Sequence, residues 1–301
     1  MSDNASTNLL FQKISIIGLG LIGGSVAAAI KRQGIASSIC AWDENRASLV
    51  LGQDLGLIDI IAENPGQAVA QADLIILAVP VLAMEKVLGA IDLKGQLITD
   101  VGSVKAVVVD AAEHVFGEVP KNFVPGHPIA GSEKNGVLAA DPNLFDRHKV
   151  ILTPNEFSNP KAVSQVESFW RALGADVVQM SVSHHDAILA QTSHLPHLLA
   201  YALVDTLAME GNSLEVFEYA AGGFRDFSRI AASDPTMWSD VFESNKGPLV
   251  KALDHYLSKL EHLKQLIESG DLLEVKEVLV RAKTARDNFS NIQTTTEAKF
   301  E

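Results

Sequence analysis

Lys13-Ile14-Ser15-Ile16-Ile17-Gly18-Leu19-Gly20-Leu21-Ile22-Gly23-Gly24-Ser25 decides the fold of this chain. An apolar run gives way to three glycines spaced Gly-x-Gly-x-x-Gly, and a helical pattern then continues to another glycine at Gly34. Lys13–Gly20 reads as a parallel strand buried on both faces, and Leu21–Gly34 as a helix with a glycine C-cap. In that setting Gly18 permits a tight turn, Gly20 lets backbone approach a pyrophosphate, and Gly23 allows the helix to pack closely on the strand. The helix N-terminus offers amide donors and its positive dipole to phosphates. Asp43 ends the next predicted strand about 20 residues beyond the motif, where a carboxylate accepts from ribose hydroxyls. It would repel a 2′-phosphate, so NAD is expected rather than NADP, with nearby Arg46 softening the preference. The expected cofactor contacts are Gly18, Leu19, Gly20, Leu21, Ile22, Gly23, Asp43 and Arg46.

Strand and helix patterns alternate outward from this motif. Ser38–Asp43, Ala72–Pro80, Gln96–Gly102, Asn122–His127, Lys149–Pro154 and Ala175–Ser181 read as strands. Val81–Ile91, Val104–Gly117 and Lys161–Gly174 read as helices. Such alternation predicts an α/β fold, a Rossmann-type doubly wound, mostly parallel sheet. Strand signals stop near residue 182. Ser183–Glu210 is helical but interrupted by Pro196, which should kink or divide it. Gly222-Gly223 breaks the next helix, Pro235 opens another, and Leu249–Ser290 reads as two helices split near Gly270. The expected organisation is a nucleotide-binding domain over 1–182 and an all-α domain over 183–301.

Composition narrows the function. With 47% apolar residues the chain can bury real cores, and a formal net charge of −13 argues against nucleic acid or an anionic membrane as partner. The single cysteine, Cys40, allows no internal disulfide and no cysteine-based zinc site. The N-terminal stretch lacks a secretory pattern, and no apolar run is long enough to span a membrane, so a cytoplasmic protein is expected.

Loops at the carboxyl ends of the strands face the ligand crevice in this fold. One of them holds Gly126-His127-Pro128-Ile129-Ala130-Gly131-Ser132-Glu133. Next to a nicotinamide, His127 could share a proton with a substrate hydroxyl, since the ordinary imidazole pKa lies near working pH. Its alternative is a satisfied structural histidine. Ser103, in Asp100-Val101-Gly102-Ser103-Val104-Lys105, could orient that imidazole or cap the helix from Val104. Val79 and Pro80 end a central strand and either line the cofactor site or belong to the core. In the helical half, Ser193-His194-Leu195-Pro196-His197 lacks the cysteine or paired carboxylates a metal site would want, so no metal is expected. Gly222-Gly223-Phe224-Arg225-Asp226-Phe227-Ser228-Arg229 is denser. Arg229 or Arg225 is the natural bidentate counter-ion for an acidic substrate, against the alternative of a surface Asp–Arg pair.

Taken together, these residues resemble the prephenate/arogenate (cyclohexadienyl) dehydrogenase family of tyrosine biosynthesis. The resemblance spans nearly all of residues 13–290. It rests on GLGLIGGS at 18–25, DVGSVK at 100–105, GHPIAGSEKNG at 126–136, SHLPHLLAYAL at 193–203 and GGFRDFSRIAASDPTMW at 222–238. It implies a Rossmann domain joined to a helical domain that forms a homodimer, and NAD-dependent oxidative decarboxylation of prephenate, with arogenate also accepted. The family's catalytic histidine falls on His127, and its serine partner near the nicotinamide on Ser103. The substrate-side histidine falls on His197 rather than His194, and the carboxylate-binding arginine on Arg229. Asp226 and Glu133 match acidic residues that organise the site, and Trp238 matches an aromatic beside the substrate. Other readings are a β-hydroxyacid or 3-hydroxyacyl-CoA type dehydrogenase, whose helical domains GGFRDFSRIA does not suit, and a non-catalytic NAD-sensing dimer.

Overall fold

The computed structural model describes residues 9–131, 134–209 and 213–297, apart from the side chains of residues 213, 214, 216 and 290–297. Contacts divide the chain into two compact units, Met1–Lys246 and Gly247–Glu301.

The first unit is built on a six-stranded parallel sheet. Its strands are β1 (Phe11–Ile17), β2 (Ala36–Trp42), β3 (Ile60–Ile61), β4 (Leu74–Leu77), β5 (Leu97–Asp100) and β6 (Phe123–Val124), in the order β3-β2-β1-β4-β5-β6. The order reverses direction between β1 and β4, and this places the ligand crevice of a doubly wound fold. β1 and β4 lie in register from Ile14↔Leu74 to Ile17↔Leu77. Alternate residues feed two cores. Ile14, Ile16, Leu74 and Ile76 join one with helices α1 (Leu21–Gln33) and α6 (Pro160–Ala172). Ile17, Ile75 and Leu77 join the other with α3 (Pro65–Val69), α4 (Met84–Leu88) and α5 (Ala106–Phe116). Burial on both faces is why these strands read as unbroken apolar runs. Helix α2 (Arg46–Asp54) packs on the first core through Leu49. α1 ends as expected, at Gly34 in the left-handed region with φ 63°.

Asn122–His127 is not one strand, contrary to expectation. Pro125 interrupts it: β6 pairs with β5, whereas β7 (Gly126–Pro128) joins a separate three-stranded sheet with β8 (Lys149–Leu152) and β9 (Asp176–Gln179). Proline offers no N–H for a ladder but still accepts, and its carbonyl takes the Thr153 N–H at 2.9 Å. His127 therefore stands where the chain passes from one sheet to the other, opposite Ile151 in an antiparallel pair.

Beyond β9 the chain is helical. α7 (Val182–Leu189) runs through a π-helical turn, Ala190–His194, into α8 (Leu195–Ala208). The helix is therefore not divided at Pro196; the wide turn before it absorbs the missing donor. α9 (Ser213–Glu218), α10 (Gly222–Ser228) and α11 (Pro235–Ser244) follow, so Gly222-Gly223 begins a helix rather than breaking one. The second unit contains α12 (Lys246–Ser269) and α13 (Leu272–Glu297), split at Gly270 with φ 73°. Leu257, Leu260, Ile267, Leu272, Leu273, Leu279 and Val280 on these helices are exposed. Among the described residues no helix is long and apolar enough to cross a membrane.

Candidate active site

Each glycine of the motif has its own physical reason. Gly18 sits at φ 96°, and a Cβ there would lie 2.4 Å from the Ala78 carbonyl oxygen. A Cβ on Gly23 would lie 2.0 Å from the Gly18 oxygen. At Gly20 a Cβ meets nothing within 4 Å, although Gly20 is the N-cap of α1 and no side chain caps that helix. Two glycines thus serve the turn's own packing, and the third leaves an open cradle at the start of α1, where among the described residues no side chain caps the helix. These features fit a dinucleotide's phosphates. Asp43 is more than a ribose acceptor in waiting. Its Oδ2 takes the Leu19 N–H at 2.6 Å and its Oδ1 the Asn45 N–H at 2.7 Å, so it also braces the glycine turn. Arg46 is exposed and paired with Glu63 at 2.9 Å. Leu19 is buried in the core, Val79 packs partly into the second core, and Pro80 is exposed.

At the carboxyl end of β5, Asp100 and Lys105 form a fully buried ion pair. Asp100 also accepts from Gly102 N at 2.8 Å and Gly126 N at 3.0 Å, while the Lys105 ammonium donates to the Gly126 carbonyl at 2.6 Å. Both backbone groups of Gly126 are thereby fixed, which sets the position of His127 next to it. A Cβ on Gly126 would come within 3.0 Å of the Asp100 carbonyl oxygen, so the close approach depends on glycine. Burial pulls the Lys105 pKa down, against the raising influence of Asp100 and Asp186.

His127 is buried, and its Nδ1 lies 2.8 Å from Nε2 of His185. His185 Nδ1 in turn lies 2.7 Å from Oδ1 of Asp186. Asp186 also accepts from the backbone N–H groups of Lys105 and Ala106, both at 2.9 Å, and so caps α5 from a distant helix. Burial alone would raise the Asp186 pKa. The His185 hydrogen bond and the two backbone donors outweigh it, and the carboxyl is held below its usual range. Burial pushes the His127 pKa well below its ordinary value, with the charges of His185, Lys105 and His194 acting the same way.

Among the described residues Ser103 makes no hydrogen bond to His127 or to the start of α5: Asp186 takes the backbone donors there, and His127 Nδ1 faces His185. Ser103 is half-buried beside Val104, which packs on Trp238 and Val241.

His194 and His197 have different partners. Asn245 Nδ2 donates to the Asp186 carbonyl at 2.9 Å and pairs with His194 Nδ1 at 3.0 Å. Because a carbonyl must receive an N–H, the amide orientation is fixed, and His194 Nδ1 is an acceptor. His194 is pulled down to about 4, chiefly by burial. His197 Nδ1 lies 2.9 Å from the Ser193 carbonyl, and its ring stacks on Trp238 at 3.7 Å between centroids. Its pKa is also lowered, first by burial and then by the charge of Arg229. His127, His194, His197 and Arg229 thus form a series in which each feels the charge of the next. Asp226, three residues before Arg229, is exposed and has no polar partner among the described residues. Glu133 lies outside them.

The residues that sequence reasoning missed are His185, Asp186 and Asn245, together with the paired roles of Asp100 and Lys105. The available signal was the adjacent His185-Asp186 at the start of the first helix beyond the sheet domain.

A glycine-turn sheet with a buried, neutral histidine at its carboxyl edge defines a Rossmann-type dinucleotide-binding oxidoreductase. The chain belongs to the prephenate dehydrogenase family: residues 26–179 match its nucleotide-binding domain and residues 181–281 its dimerization domain. It is 37% identical over 268 residues to the cyclohexadienyl dehydrogenase of Zymomonas mobilis, covering 87% of this chain and 90% of that one. It is 36% identical over 285 residues to the prephenate dehydrogenase of Bacillus subtilis, covering 93% of this chain and 76% of the relative. Among solved structures, it is similar to the prephenate dehydrogenase of Aquifex aeolicus in complex with hydroxyphenyl propionate and NAD+. That likeness has a TM-score of 0.86 and 37% identity, covering 92% of this chain and 98% of the other.

Proposed function

We infer that this chain catalyses the NAD-dependent oxidative decarboxylation of prephenate to 4-hydroxyphenylpyruvate in tyrosine biosynthesis, with His127 as the group that handles the substrate's hydroxyl proton. The observation that carries the role of His127 is its state: buried, neutral and tethered through Nδ1, which leaves Nε2 as the proton acceptor. NAD supplies the hydride acceptor when bound. The open cradle at Gly20 suits its phosphates, Asp43 its ribose, and Leu21, Ile22, Val79 and Pro80 the walls around it, while Leu19 packs in the core beneath the turn. His127 Nε2 accepts the hydrogen bond of the ring 4-hydroxyl, and takes that proton as the hydride leaves the same carbon. The ring carboxylate departs as CO2, and the electron pair it leaves makes the ring aromatic. Aromatisation drives the reaction downhill, so a weak base in the right place is sufficient.

Arg229 is the counter-ion for a substrate carboxylate, and His197, kept neutral against Trp238, offers its Nε2 to the same ligand. Among the described residues the Ser103 hydroxyl has no hydrogen-bond partner, which suits it to the substrate oxygen or the nicotinamide side. Asp226 and Glu133 complete the expected acidic set. We assign arogenate as a second substrate, residues 183–301 as the substrate and dimerisation region, and the cytoplasm as its location. The exposed leucines of α12 and α13 support a homodimer that covers them.

The test is NADH formation with prephenate and arogenate, each with NAD and NADP. Prephenate with NAD should give the highest kcat/KM. His127→Asn should keep prephenate binding and lose at least about 100-fold in kcat. Binding of NAD with no NADH from either substrate would overturn the reading.

A further inference from the structure

We propose that His185 and Asp186 are positioning residues for the reaction: they hold His127 as its Nδ1–H tautomer and receive that proton while the substrate's proton sits on Nε2. This rests on the reading of His127 given above. The geometry sets the direction of every bond. Two backbone N–H groups at the start of α5 keep Asp186 anionic, so His185 must donate to it from Nδ1. His185 Nε2 then carries a lone pair, and at 2.8 Å it can only accept from His127 Nδ1. His127 Nε2 is left without a proton.

The overall reaction neither consumes nor releases a proton. The hydroxyl proton is taken as hydride leaves and returned to the phenolate oxygen when the ring becomes aromatic. Between those events the charge needs somewhere to reside. The O–H bond of the substrate breaks and His127 Nε2–H forms. His127 Nδ1–H breaks and His185 Nε2–H forms. His127 ends neutral, and the positive charge rests on His185 against the Asp186 carboxylate. The same bonds reverse when the proton is returned. The other charged and titratable groups packed around the two rings are the Asp100–Lys105 pair on the β5 side and His194 on the helical side. Lys105 and His194 both disfavour a charge held on His127 itself, whereas a proton on His185 faces the Asp186 carboxylate at 2.7 Å. Asn245 donates to the Asp186 backbone carbonyl and so holds this part of α7 in place.

Two variants separate orientation from proton transfer. His185→Gln retains an acceptor for His127 Nδ1–H but cannot take its proton; His185→Leu retains neither. The expected loss in kcat is about 10-fold for His185→Gln and about 100-fold for His185→Leu, with KM for prephenate and the Kd for NAD unchanged. Nitrogen-15 NMR of the His127 ring should show the Nδ1–H tautomer in the parent and in His185→Gln, and a mixture in His185→Leu. If both variants keep kcat within about twofold, or if His127 keeps its tautomer in His185→Leu, the proposal fails. Should His185→Leu not fold, His185→Gln and Asp186→Asn decide, and unchanged kcat in both overturns it. An inactive parent would instead indict the functional reading, whereas an active parent with an inactive His127→Asn and unaffected His185 variants indicts the relay alone.

Discussion

Acid should loosen the centre of this protein through His194. In the fold this ring is buried, its Nδ1 receives an N–H from Asn245, and its pKa stands at about 4 against an ordinary 6.5. A group whose folded pKa is depressed contributes stability that is present above its unfolded pKa and lost as pH falls toward the folded one. The window therefore runs from about pH 6.5 down to about 4. At pH 5 protonation of this ring shifts the folding equilibrium about 30-fold toward the unfolded chain, a loss of about 2 kcal/mol relative to pH 7.5. His127 and His197 are depressed as well, so their contributions have the same sign. The assay is urea unfolding at fixed protein concentration, followed by tryptophan fluorescence, at pH 7.5 and pH 5. His194→Gln should be less stable at the upper pH, because the Asn245 contact is disturbed, but its loss on acidification should be smaller than the parent's by about 2 kcal/mol. Equal pH dependence in parent and variant would refute the argument, since it would mean that His194 titrates alike in both states.

Three further outcomes follow from the site. Gly20→Ala should leave thermal stability within about 1 kcal/mol of the parent while removing measurable NAD binding; Gly23→Ala, whose methyl would strike the Gly18 carbonyl, should cost about 3 kcal/mol. Arg229→Ala should raise KM for prephenate about 10- to 100-fold with NAD affinity unchanged, as expected for one charge-assisted bond to a carboxylate; an equal loss of both would point to misfolding. Asp43→Ser should raise the ratio of NADP to NAD turnover and cost about 1 kcal/mol of stability, because the Leu19 N–H loses its acceptor. A ratio that does not move would show that Asp43 serves the turn alone.

The half of the site that holds the cofactor was legible because its causes are local. Gly18, Gly20 and Gly23 read as a motif since turn, cradle and packing contact all fall within one strand–turn–helix. Asp43 lies at the end of the adjacent strand, and the buried runs at Lys13–Ile17 and Leu74–Leu77 announced a parallel sheet. His127 stood out because glycine and proline frame it. What holds His127 was not legible. His185 is 58 residues further on, and the Asp186 cap of α5 spans 80 or more. Periodicity reports which face of a helix is buried, not which distant polar group that face meets. Pro125 is visible in the sequence, but the strand pattern continues through it, and the passage to a second sheet arises only in three dimensions. Ser103 lies where a local cap would fall, but loses that place to a carboxylate from another helix.

That loss explains how so many ionisable groups share one buried region. Burial acts on all of them, but it acts against charge, and hydrogen-bond donors decide which charges survive it. Asp186 keeps its charge because two backbone N–H groups and a histidine point at it. Asp100 has Gly102, Gly126 and the Lys105 ammonium. His127, His194 and His197 face another imidazole, Asn245 and the Ser193 carbonyl respectively, and their pKa values fall. A serine cap on α5 would have satisfied the helix and left Asp186 without its donors. Its carboxyl would then have risen with burial, and the orientation of His185, and through it His127, would have lost its anchor. The start of α5 is thus coupled to the state of the histidine at the crevice, and an Asp186→Asn variant should disturb both: thermal stability through the cap, and the His127 tautomer through the ring between them.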